Sequence, residues 1–309
     1  MTGSAGDERR SVALFGATGF VGRHVARALE RRGAEVRPVP SPQVTTTARD
    51  TASLAAEAPS HSGLTARLVE EVAGASVVVN AAGLATPTGG ADDGLYGANA
   101  LLPSLLSRVS DEVGARFVHV STAAVQGRAR VLDESTTVHP FSPYSASKAL
   151  GERMVLAHPG HVVFRPTSVQ GAERRVTASL RRIARSRLAS VASPGTDPTP
   201  QVHVDNVADA IAFTALSEDP PPAIVLQPAD GLTTASLLEI LGGHRPIRVP
   251  RVFARGVVAG LFGAGRIAPR FTGIARRVEM LWFGQDQAPG WLDGRWEPVV
   301  GRAEWEALG

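Results

Sequence analysis

The 309-residue chain has no cysteine, two tyrosines, three methionines and, among its 32 basic side chains, a single lysine. Without cysteine there can be no disulfide, no thiolate metal ligand and no sulfur nucleophile. No stretch approaches the roughly 18 uninterrupted apolar residues of a membrane-spanning helix. The nearest, VFARGVVAGLFGAG at 252–265, is broken by Arg255 and reads as an amphipathic helix. The opening MTGSAGDERR is polar and lacks the apolar centre of a secretory leader, so a cytoplasmic protein is expected. Net charge is only +3, too little to suggest a nucleic-acid partner. No metal-ligand spacing, internal repeat or low-complexity tract stands out. What remains is a chain with 43% hydrophobic and 20% charged residues, which suits a soluble protein with a sizeable core.

Its first two thirds alternate apolar runs with helical patterns. SVALF (11–15), EVRPV (35–39), ASVVVNAAG (75–83), ARFVHVST (115–122) and HVVFRP (161–166) read as strands, several apolar enough to be buried on both faces. Between the first two, GFVGRHVARALERRG (19–33) places Val21, Val25, Ala28 and Leu29 on one helical face. This rhythm predicts an α/β fold with a Rossmann-type, doubly wound parallel sheet. Residues 40–63 fit poorly, and a third strand is expected within QVTTTA (43–48). VHVDNVADAIAFTAL (202–216) reads as a strand leading into a helix capped by Asp205. The expected division is a dinucleotide-binding domain of residues 1–170 with 201–232 returning to it. Residues 171–200 and 233–309 would form a smaller substrate-binding domain.

GATGFVG sets Gly16, Gly19 and Gly22 between the first strand and the first helix. Glycines there let backbone amides of Thr18, Phe20, Val21 and Arg23 approach a pyrophosphate, and the helix N-terminus adds partial positive charge. The second strand ends VRPVPSPQ, with Ser41 rather than a carboxylate in the position that would bind the adenosine ribose. That favours NADP over NAD, with Arg23 and Arg37 as candidates for its phosphate.

The one lysine, Lys148, stands four residues after Tyr144, one of the two tyrosines. Spacing of four places both on one helical face. A nearby ammonium favours phenolate and makes a tyrosine usable for proton transfer near neutrality. A compact ammonium can also grip ribose hydroxyls, which a planar guanidinium does less well.

Together with the glycine turn, the runs NAAG (80–83), VHVSTAAVQG (118–127), PYSASK (143–148), RPTSVQG (165–171) and VHVDNVADA (202–210) resemble the extended short-chain dehydrogenase/reductase family. That family contains nucleotide-sugar epimerases, dehydratases and 4-ketoreductases. The resemblance implies that Tyr144 donates or accepts the proton, that Lys148 assists it and binds the nicotinamide ribose, and that Thr122 hydrogen-bonds the reacting oxygen, with Ser121 the lesser candidate. Asn99 would support the active-site helix. Asn80, Ala81, Ala82, Gly83, Pro166 and Ser168 would line the cofactor. Gln126 and Gln170, standing where the family often has tyrosine, would lie near the substrate. Ser62 and Gly63 replace an aspartate usual near adenine, and Ala123-Ala124 replaces the Asp-Glu of the dehydratases, which argues against dehydration. His203 and Asp205 read as structural. Arg128, Arg130, Arg174, Arg175, Arg181 and Arg182 are the arginines located to meet a nucleotide diphosphate. The implied function is NADPH-dependent reduction of a nucleotide-linked 4-ketosugar by a homodimer built on helices around 92–110 and 143–157. A 4-epimerase with tightly bound NAD and a non-catalytic dinucleotide-sensing regulator are the alternatives.

Overall fold

The computed structural model describes residues 10–85, 92–267 and 270–309; most of the polar opening stretch lies outside them. In chain order the elements begin β1 (Ser11–Phe15), α1 (Phe20–Arg31), β2 (Glu35–Val39), α2 (Thr51–Glu57), α3 (Ser62–Val72), β3 (Val77–Asn80), α4 (Asp93–Tyr96), α5 (Leu102–Val113) and β4 (Arg116–Val120). There follow β5 (Val131–Leu132), α6 (Pro143–Leu156), β6 (Val162–Arg165), β7 (Ser168–Gln170), α7 (Arg175–Ala184), β8 (Ser190–Ala192), β9 (Gln201–His203) and α8 (Val204–Leu216). The last are β10 (Ile224–Leu226), α9 (Thr234–Gly242), β11 (Ile247–Val249), α10 (Arg251–Ile267), α11 (Arg270–Phe283), β12 (Asp286–Gln287) and α12 (Arg302–Glu306).

Six strands form a parallel sheet in the order β10-β6-β4-β3-β1-β2. β1 lies between β2 and β3, so the chain changes direction across the sheet there and opens a crevice at the strands' C-terminal ends. The central strands are largely apolar because both faces are covered, with Asn80 on β3, His119 on β4 and Arg165 on β6 as buried polar exceptions. Val12, Leu14, Val79 and Val118 pack under α1 and α8, whereas Ala13, Phe15, Val78 and Phe117 pack under α3 and α5.

The strand expected within 43–48 does not form. This segment instead runs as irregular backbone beside α4, with Thr46 N–H donating to Asp93 O at 3.1 Å. Its Val44 carbonyl presses on Gly97, where any Cβ would stand 1.8 Å away. Residue 97 opens a π turn, Gly97–Leu101, and glycine there lets the two backbones meet. Another correction concerns α8: His203 caps it, its Nδ1 accepting from Asp205 N–H at 3.3 Å. Asp205 sits in the first turn and faces His24 at 2.6 Å.

A second apolar cluster joins Ala184, Val191, Leu237, Leu241, Trp305 and Leu308, and β8 pairs with β11 beside it. The chain between α11 and α12 returns to the large sheet. Leu292 and Trp296 enter the core under α1 and α8, and Trp296 Nε1 donates to Asp209 at 2.9 Å. Among the described residues no helix is long and apolar enough to cross a membrane.

Candidate active site

The glycine turn follows directly from β1. Gly16 adopts φ +78°, a conformation that disfavours side chains, and a Cβ there would lie 2.5 Å from Ala82 N. At Gly22 a Cβ would stand 1.9 Å from Gly16 O, so α1 can start this close to the strand only with glycine. Gly19 N–H donates to Gly16 O at 2.9 Å. The N-terminus of α1 has no side-chain cap and no acid in its first turn, leaving its amides open to an anion. Thr18 is exposed at the turn's tip, and Phe20 and Val21 are half-buried. Arg23 pairs with Glu173, and Arg37 donates to Ala73 O at 3.0 Å.

The loop after β3 is shaped from below. Asn80 is fully buried and points inward, accepting from Ala82 N–H at 3.0 Å and lying 3.3 Å from His119. Ala81, Ala82 and Gly83 are the residues it presents at the crevice. A Cβ on Gly83 would come within 3.0 Å of Lys148 Nζ and 2.8 Å of Asn99 Oδ1, so glycine leaves the amine accessible from this side. Asn99, fully buried in the π turn, accepts from Leu84 N–H at 3.0 Å and donates to Leu84 O at 2.9 Å and Ser147 Oγ at 3.0 Å. It therefore ties this loop to α6.

That helix starts at a reciprocal cap of Ser142 and Ser145, which fixes Tyr144 in its first turn. Tyr144 and Thr122 line one cavity of about 280 Å³. Thr122 ends the β4 segment and accepts from Ala124 N–H at 3.2 Å. Burial raises the Tyr144 phenol above its ordinary value, opposed by the Thr122 hydroxyl and then by the charge of Arg174. Lys148 is buried and donates to Val120 O at 3.0 Å. Burial lowers its amine to about 8, with Glu152 pulling the other way. Glu152 itself is held by Arg165 at 2.7 Å, both fully buried. His119, wholly buried beside Lys148, is kept neutral by burial and by the neighbouring ammonium.

Among the described residues, three buried hydroxyls along the strand ends have no protein partner: Ser41, Ser121 and Thr167. They follow β2, β4 and β6, along the same edge as Pro166 and Ser168. Orphaned buried donors there fit a bound polar group, and with the open α1 terminus they fit a dinucleotide.

Neither glutamine reaches the cavity. Gln126 donates to Asp133 at 2.6 Å and accepts from Asp133 N–H at 3.1 Å. Gln170 donates to Gln201 at 2.8 Å and accepts from Thr177 at 2.7 Å. Both amides are committed to holding loops together, so the expectation that they face substrate is corrected.

The remaining lining is mostly apolar: Ala85, Leu132, Phe141, Val169, Val176 and Met280 among them. Sequence periodicity offered no means of singling out Phe141 or Met280, which are brought in by a loop and by α11. Beyond it opens a groove of about 780 Å³, sharing Arg276 and Gln285 with the inner cavity and lined also by Arg128, Arg130, Arg251, Arg255 and Arg266. Arg128 pairs with Glu279, and Arg251 with Asp197 at 2.7 Å. Of the other candidates, Arg174 lines the inner cavity, Arg181 turns to Leu308 O at 3.3 Å, and Arg175 and Arg182 are exposed outside both. Toward the N-terminal edge of the sheet, donor atoms of Asp111, His158 and His161 lie within 4.8 Å of one another. His161 Nε2 also faces Ser107 O at 2.9 Å, and the group forms a hydrogen-bonded cluster.

The sequence profile of the NAD dependent epimerase/dehydratase family matches residues 12–226. Over 217 residues the chain is 33% identical to a 4-hydroxy-2-methyl-3-oxo-4-farnesyl-3,4-dihydroquinoline-1-oxide ketoreductase of Stigmatella aurantiaca, covering 65% of this chain and 63% of that protein. It is 32% identical over 214 residues to a ceramide reductase of Caulobacter vibrioides, covering 68% and 62%. The chain thus spans a little under two thirds of the length of these curated relatives. A UDP-glucuronic acid 4-epimerase of Bacillus cereus, solved with NAD, shares the fold at a TM-score of 0.63 over 96% of both chains, with 16% identity.

Proposed function

Because the chain belongs to the NAD-dependent epimerase/dehydratase family and is an NAD(P)-dependent enzyme of the short-chain dehydrogenase/reductase type, we propose that it is a ketoreductase in which Tyr144 is the proton donor. The observation that carries this reading is the meeting of Tyr144 and Thr122 on one cavity, with the buried Lys148 amine behind it. A nicotinamide dinucleotide held here would supply the hydride for the carbonyl carbon. Gly16, Gly19 and Gly22 with the α1 terminus would hold its pyrophosphate, and Ala81–Gly83, Pro166, Ser168 and Lys148 its nicotinamide half.

Thr122 donates a hydrogen bond to the carbonyl oxygen and polarises it. The Tyr144 O–H bond then breaks, its proton joining that oxygen to give the alcohol, and solvent restores the phenol. Lys148 holds its charge against the dinucleotide's ribose side, where Gly83 leaves room. Asn99 keeps the loop and α6 in register. We read the cofactor as NADP, supported by the absence of a carboxylate after β2 and by the unpaired Ser41 hydroxyl there. Arg23 and Arg37, the candidates for its phosphate, would have to leave Glu173 and Ala73.

For the substrate, the inner cavity supports a ketone with an apolar body, since few polar groups are available for sugar hydroxyls. The two relatives named for a farnesyl-bearing ketone and for ceramide support the same reading. A nucleotide-linked 4-ketosugar is the second reading, favoured by the arginines of the outer groove. The test is NADPH consumption with a long-chain ketone and with a UDP-4-ketosugar, by the native protein and by Tyr144→Phe. Tyr144→Phe should lower turnover at least about a hundredfold while dinucleotide binding persists. Undiminished turnover would end the assignment. Retained NAD with no net consumption of reductant would instead identify an epimerase.

A further inference from the structure

The lysine is not the only cation near the phenol. Lys148 directs one N–H to the β4 backbone at Val120 O and approaches the crevice on the Gly83 side. Arg174, at the start of α7, lines the inner cavity together with Tyr144 and Thr122. Its guanidinium is steadied by the Val169 carbonyl and lies 5.6 Å from the Phe20 ring centre. Glu173, its neighbour in sequence, is turned to Arg23. Among the described residues no carboxylate lines this cavity. The other arginine there, Arg276 on α11, shares Glu279 with Arg128, lying 2.8 Å from it, and donates to Gly127 O at 2.8 Å. Arg174 is therefore, among the described residues, the arginine of this cavity that has no carboxylate partner.

We propose that Arg174, which lines the cavity with Tyr144, is a positioning residue for proton transfer: its positive charge stabilises the negative charge left on the phenol oxygen once the proton has gone. Lys148 acts from the other side, next to the cofactor, so that Arg174 adds to its effect. The inference rests on the reading of Tyr144 as proton donor. Burial is the larger influence on both groups, raising the phenol and lowering the guanidinium, and their mutual charge opposes it in each, which agrees with the proposal. The charged or titratable groups facing Tyr144 are then Arg174 from the α7 start, Lys148 one turn along α6, the paired Arg276 from α11 and neutral His119 on β4 behind Lys148.

Only two tyrosines occur, so Tyr96→Phe leaves Tyr144 alone. Biosynthetic replacement by a fluorinated tyrosine, whose phenol titrates at lower pH, then gives a single fluorine signal to follow by NMR. In this protein Arg174→Gln should raise the titration midpoint by about one pH unit, and Arg174→Lys should restore most of it. An unchanged midpoint in Arg174→Gln would overturn the proposal. Circular dichroism checks that each variant is folded; if Arg174→Gln is not, Arg174→Met carries the same comparison. Loss of the Tyr144 assignment itself would show separately, as an active Tyr144→Phe enzyme.

Discussion

Replacing Lys148 by methionine is expected to inactivate the protein and stabilise its cofactor-free form. The amine belongs at 10.5 but is lowered to about 8 by burial. A difference of about 2.5 pKa units corresponds to about 3 kcal/mol against holding the charged ammonium in the fold. Methionine removes that penalty but also the hydrogen bond to Val120 O, worth about 1 kcal/mol net. The variant should therefore gain about 2 kcal/mol near neutrality, or on the order of 4 °C in Tm. The sign has a pH signature. Unfolded lysine keeps its proton up to 10.5, whereas the folded one releases it near 8. Between those values the unfolded chain binds more protons, so native stability rises with pH. The advantage of Lys148→Met should be full below pH 8 and fade as the pH climbs toward 10.5. Thermal and urea unfolding at pH 7 and pH 10 measure it. A variant less stable than the native protein at pH 7, or a difference independent of pH, would refute the reasoning.

Two further substitutions probe the frame of the site. Gly22→Ala places a methyl 1.9 Å from Gly16 O. The resulting shift should cost about 1–3 kcal/mol and weaken dinucleotide binding about tenfold or more in a fluorescence titration. Glu152→Gln leaves Arg165 buried without its carboxylate. It should destabilise the protein by about 3–5 kcal/mol in urea unfolding, and a loss below about 1 kcal/mol would mean that the pair is not desolvated as described.

The parts of this protein legible in its sequence are those that depend on neighbours in the chain. Strands such as VVVN and FVHV read as continuous apolar runs because a parallel sheet buries both their faces. The turn at Gly16–Gly22 was readable because close backbone approach admits only glycine. Tyr144 and Lys148 were readable because a helix brings residues four apart to one side. Tertiary structure decided the rest. The 43–48 segment has the composition of a strand but lies over Gly97, and no local pattern announces a contact across some fifty residues. Gln126 and Gln170 were expected at the substrate, yet each found a partner, Asp133 or Gln201, that satisfies its amide. Among the described arginines, all alike in sequence character, Arg174 is the one that lines the cavity beside the phenol with no carboxylate partner. Charge type is written in the chain, but whether a charge is paired, exposed or aimed at a reacting group depends on which distant elements pack around it.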